Sequence, residues 1–119
     1  MDDASKISAF DVANDEDEAI EPEKTIRCKG CEHEITKPSL ALQPHEHTFT
    51  NPFGLVFNIV CYSDASGVNS VGVPTKVATW FPGYAWTMGI CKECTLHVGW
   101  WFQGEDKFIG LIVDRIIRE

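Results

Sequence analysis

The sequence predicts an all-β domain, on three observations. Short apolar segments rich in β-branched residues are separated by Gly, Pro and Asn turn signals. One of them, Leu55–Tyr62, is largely apolar on both faces. Two Cys-x-x-Cys pairs, Cys28/Cys31 and Cys91/Cys94, supply a four-thiolate set that could pin a small β core. At 119 residues the chain makes one domain, and its modest core would gain from such a staple.

Residues 1–22 are acidic and weakly apolar, and are expected to form a disordered tail, leaving residues 23–119 as the domain. Thr25–Arg27 then leads as a strand into Cys28-Lys29-Gly30-Cys31, where Gly30 lets the backbone fold so that both sulfurs face one point. Glu34–Pro38 reads as a short strand or turn and Ser39–Leu42 as a second apolar piece. His33, His45 and His47 read as loop residues, and Asn51-Pro52-Phe53-Gly54 as a turn. Leu55–Tyr62 is expected to be a central strand, because both faces need cover. Ser63–Ser70 reads as a polar loop, and Val71–Pro74 as an edge segment, since proline cannot donate to a ladder. Trp86–Ile90 runs as a strand into the second knuckle, and Leu96–Phe102 returns from it. Gly104-Glu105-Asp106 is a hairpin turn, and Phe108–Ile117 closes the chain, with strand favoured over helix by its β-branched content.

Charge narrows the function. Residues 1–21 hold eight acids and one lysine, a net charge of −7, whereas the chain as a whole carries −8. The body is therefore near neutral, which argues against a surface that neutralises nucleic-acid phosphates. No apolar run reaches the length of a membrane span, and the start of the chain lacks the basic and apolar regions of a secretory signal. With an odd count of five cysteines and two metal-type pairs, a reducing, cytoplasmic setting is expected, although a mature secreted chain would read the same way.

Four thiolates from two knuckles suit one tetrahedral zinc ion, and a site with no open position is structural rather than catalytic. Two disulfides or free thiols are the plainer alternatives. A redox role is disfavoured because no βαβ pattern surrounds either pair. His97 reads as a strand residue near the site rather than a ligand, and a second metal at His45/His47 is the weaker reading of those residues. Cys61, on an apolar face with no base near it in sequence, reads as a small buried hydrophobe.

Trp80 and Trp86 flank a Pro82-Gly83 turn, and Trp100 shares strand parity with Phe102 while Trp101 points the other way, to packing or a solvent edge. Three indoles around one point make a cage, for a cation over π faces or for a flat neutral ring. The lack of acidic residues beside them favours the neutral ring. On pattern alone, a cage and ordinary core packing both stay open.

Trp80-Phe81-Pro82-Gly83-Tyr84-Ala85-Trp86, then Cys91-x-x-Cys94, then His97-Val98-Gly99-Trp100-x-Phe102 closely resembles the CULT, or thalidomide-binding, domain family. Cys28-x-x-Cys31, Asn51-Pro52-x-Gly54 and Phe108-x-Gly110-Leu111 fit the same pattern, so the resemblance covers about residues 25–117. It implies a β-tent: two antiparallel sheets leaning together, pinned by a four-cysteine zinc site. It implies a non-enzymatic binding module for the glutarimide ring of thalidomide-type drugs and for cyclic imides at peptide C-termini. Carried over by position, Trp80, Trp86 and Trp100 form three walls and Phe102 the base. Asn51 and Pro52 border the pocket. Thr79 belongs to the same ligand-binding set, the Ala78 carbonyl accepts from the ring N–H, and the Trp80 amide donates to a ring carbonyl. A histidine stands at the position of Ala78 in the family's large ubiquitin-ligase member, so a side-chain contact is lost here. That member also carries a Lon-like region and a helical bundle, so the lone bacterial form is the better likeness and no ubiquitin-ligase adaptor is expected as a partner. Two other readings are a quaternary-ammonium or methyl-lysine reader and, less favoured, a methionine sulfoxide reductase-like enzyme. The latter would need a cysteine after Cys94, and none follows.

Overall fold

A computed structural model describes residues 24–118, so the tail expected over residues 1–22 lies outside the described residues. Nine strands form: β1 Ile26–Cys28, β2 Glu34–Thr36, β3 Ala41–Thr50, β4 Val56–Tyr62, β5 Val68–Thr75, β6 Ala85–Cys91, β7 His97–Gln103, β8 Lys107–Ile112 and β9 Ile116–Arg118. Two single 3-10 turns, Pro38–Leu40 and Val113–Arg115, interrupt them, and there is no α-helix among the described residues. The strands make two antiparallel sheets, of order β2-β1-β9 and β3-β4-β8-β7-β6-β5.

β4 is interior, between β3 and β8, and its two apolar faces serve two different cores. Val60 and Tyr62 pack with Ile26, Ile35 and Ile116 of the small sheet and with Leu111 of β8. Ile59 and Cys61 point the other way, into a cluster with Phe102, Phe108 and Ile112 that Trp80, Phe81 and Tyr84 cover. The centre of the large sheet is thus covered on both sides, by the small sheet on one and by the tryptophan loop on the other, while its edge strand β5 stays largely exposed. Two-sided burial begins only at Ile59, however, because Leu55 and Val56 are exposed.

Three elements differ from expectation. His45 and His47 are not in a loop but on β3, where with Phe49 they form the half-buried face of a period-two pattern. His47 stacks on Phe49 at 5.6 Å, and His45 Nδ1–H donates to the Cys61 carbonyl at 2.9 Å. β5 starts at Val68, inside the expected polar loop, and forms the sheet edge that Pro74 requires. The last apolar run is not one strand. It breaks at Val113–Arg115 because the chain leaves the large sheet there, and β9 pairs with β1 in the small one.

β7 and β8 approach so closely that a Cβ at Gly99 would strike the Gly110 carbonyl oxygen and come within 3.0 Å of Leu111 Cα. Both are backbone of a paired strand and cannot yield. Gly99→Ala is expected to destabilise the domain by about 2–3 kcal/mol, read as a lower urea midpoint. An unchanged midpoint would show that the strands part without cost.

Candidate metal centre and aromatic pocket

The two knuckles have the same local build. β1 ends at Cys28 and β6 at Cys91, and each chain then reverses, with Glu32 N–H donating to the Cys28 carbonyl and Thr95 N–H to that of Cys91. Glu32 (φ +66°) and Thr95 (φ +65°) take the left-handed conformation that closes each turn. Gly30 therefore has a different job from the one its flexibility suggests. A Cβ there would lie 3.4 Å from both Cys94 Sγ and Leu96 Cδ2, so its small size lets the knuckles meet. Gly30 N–H donates to Cys28 Sγ at 3.3 Å, and Glu93 N–H to Cys91 Sγ at 3.4 Å.

The four sulfurs lie within 4.8 Å of one another, with Cys28–Cys94 and Cys31–Cys91 both at 3.6 Å. They form no disulfide. A tetrahedron with bonds near 2.3 Å has edges of about 3.8 Å, so the donor set fits a thiophilic cation. Burial pushes the Cys28 thiol up to about 12, whereas the Leu96 amide lowers that of Cys94. His97 stands apart from this cluster: its Nε2–H donates to the Gly99 carbonyl at 2.9 Å, and its ring meets Trp100 edge-on. No other group of three or more His, Cys, Asp or Glu among the described residues gathers its ligand atoms in this way.

On the opposite face of the large sheet lies a cavity of about 270 Å³. Trp80, Trp86 and Trp100 line it, with Phe102. Phe102 is only 1% exposed, which makes it the floor. Trp80 stacks on Phe49 at 5.0 Å, stands edge-on to Trp100 at 4.8 Å, and donates its indole N–H to the Thr50 carbonyl. Trp86 donates to the Val77 carbonyl at 2.8 Å, which ties the loop after β5 to β6. Trp100 is held at its edges by Phe57 and His97. Each wall is therefore oriented by a specific contact, not merely buried.

Asn51, Pro52 and Ala78 also line the cavity. The Asn51 side-chain oxygen accepts from the amides of Phe53 and Leu55 and so shapes its own loop. Ala78, at φ +57°, lies in the left-handed region within a turn closed by Thr79 N–H donating to the Lys76 carbonyl. Neither the Ala78 carbonyl nor the Trp80 N–H has a hydrogen-bond partner among the described residues. Thr79 is not on the lining; its hydroxyl donates to the Phe81 carbonyl. Trp101 faces the small sheet, 6% exposed, with its indole N–H unpartnered among the described residues.

Sequence reasoning missed Phe53 and Val77, which also line the cavity, and the supports Phe49 and Phe81. Phe53 lies inside the Asn-Pro-x-Gly motif, and Phe49 repeats the period of His45 and His47; both signals were present.

No family model matches the chain. Three curated proteins named protein cereblon are similar to it. That of Danio rerio is 38% identical over 88 residues, covering 70% of this chain and 20% of that protein. That of Gallus gallus is 35% identical over the same length, with the same shares. That of Drosophila grimshawi is 32% identical over 93 residues, 73% of this chain and 14% of that protein. The chain spans about a fifth or less of the length of these relatives. Similarity at this level over about 70% of the chain, on a two-sheet fold with four clustered cysteines, is consistent with a cereblon-like CULT domain.

Proposed function

We propose that the domain is a binding module, not an enzyme, and that its pocket holds a neutral cyclic imide of the glutarimide type, free or at a peptide C-terminus. The observation that carries this reading is the pairing of three oriented indoles with two lining residues, Ala78 and Trp80, whose carbonyl and N–H respectively are unpartnered among the described residues. An imide edge presents an acceptor, a donor and an acceptor beside apolar CH₂ groups. Backbone groups suit the first and indole faces the second. The volume suits a single ring, at the small end of ligand pockets, which run from about 300 Å³. No lining residue is charged, which disfavours a quaternary ammonium guest. One structural zinc at Cys28, Cys31, Cys91 and Cys94 completes the proposal.

Titration with glutarimide should change tryptophan fluorescence saturably, and N-methylglutarimide should bind at least about tenfold more weakly, because the N–H acceptor is left unpaired. Equal affinity for the two would sink the proposed hydrogen bond. Displacement of glutarimide by a trimethyl-lysine peptide would favour the ammonium reading instead.

A further inference from the structure

We propose that Phe53 and Val77 form an apolar lip that selects imides carrying an apolar group next to the ring. This rests on the imide reading and names the ligand's second half. Phe53 is 89% exposed and Val77 73%, yet both line the cavity. Single exposed apolar residues are ordinary. Here two border one opening, and Leu55 and Val56, which follow Phe53 closely in the chain, are exposed as well. Folding gains little from them: Phe53 makes no ring contact with another aromatic residue among the described residues.

Their backbones, by contrast, are fixed. Phe53 N–H donates to Asn51 Oδ1 at 3.0 Å. Val77 N–H donates to Thr75 Oγ1 at 3.1 Å, and its carbonyl accepts from Trp86. Trp86 thus sets a wall and half of the lip together. Two apolar side chains on preorganised backbone can cover a ligand group with little further ordering cost. With the polar imide edge directed at Ala78 and Trp80, a substituent on a ring carbon leaves through the mouth, between Phe53 and Val77. No charged residue lines the cavity, so a carboxylate drawn against these side chains would lose water without a partner from the lining.

The test compares glutarimide with 3-aminoglutarimide acylated by acetyl, phenylacetyl or succinyl, on the wild-type chain and on a Phe53→Ser, Val77→Ser double variant. Phenylacetyl should bind wild type roughly tenfold tighter than acetyl, with succinyl weakest, and the phenylacetyl-to-acetyl ratio should fall toward one in the variant. A flat series on wild type, a ratio that persists in the variant, or succinyl binding tightest would overturn the lip while leaving imide binding intact. Failure of plain glutarimide to bind wild type would instead bring down the imide reading. A phenylalanyl-aminoglutarimide peptide separates sources: a gain like that of phenylacetyl points to peptide chain ends, and no gain points to free small molecules.

Discussion

Removing the metal proposed at the four cysteines is expected to cost the domain most of its stability. Chelation, or Cys91→Ser, should lower the melting temperature by about 15–30 °C or leave no cooperative transition. Cys31 and Cys91 are 60 positions apart in the chain, and cross-linking a loop of that size is worth about 4 kcal/mol. A domain of this size is stable by only about 5–14 kcal/mol. The clamp joins β1 of the small sheet to the β6–β7 turn of the large one, so its loss also frees Ile26 and Ile35 from Val60 and Tyr62. The pH dependence should have opposite signs in the two forms. Burial raises the Cys28 thiol from 9.0 to about 12 in the metal-free protein, so that contribution to stability is present below pH 9 and lost as pH rises toward 12. The loaded form needs thiolates, and protons compete for them as pH falls. Native mass spectrometry should find one bound ion. A chelator that leaves the melting curve unmoved would remove the metal from the account.

Loss of Trp86 should have the largest effect on binding. Trp86→Ala should weaken glutarimide affinity roughly 100-fold, the scale on which a central aromatic anchor acts. It removes an indole face and also the 2.8 Å bond to the Val77 carbonyl. Trp86→Phe separates the two roles, since it keeps an aromatic face and loses only the N–H; an intermediate loss of about tenfold is expected. The measurement is isothermal titration on variants whose melting temperatures match wild type. Trp86→Ala binding as well as wild type would show that the ring is held elsewhere. Trp100→Ala is a poorer probe, because Trp100 also packs against Trp80, Phe57 and His97 and its removal threatens the fold.

Several features were legible in the sequence because they are encoded locally. Alternation along Leu55–Tyr62 predicted a strand apolar on both sides. Strand parity put Trp100 with Phe102 and turned Trp101 away, and the structure packs them into the two opposite clusters accordingly. Cys-x-x-Cys spacing named the four sulfurs that meet. Polar composition concealed the strand character of His45 and His47, whose half-buried face is supplied by aromatic neighbours far along the chain.

By itself, then, the sequence determined the class, the four cysteines that cluster and the opposite faces taken by Trp100 and Trp101, since these follow from periods of two and spacings of a few residues. Tertiary structure decided the rest. Phe53 and Val77 share a mouth only because β3–β4 and β5–β6 bring their loops together around one cavity. Trp80 stands where it does because Phe49, on a different strand, stacks against it. The final apolar run divides because β1 offers it a free edge. Each depends on which strands pair, a long-range outcome that no local pattern carries.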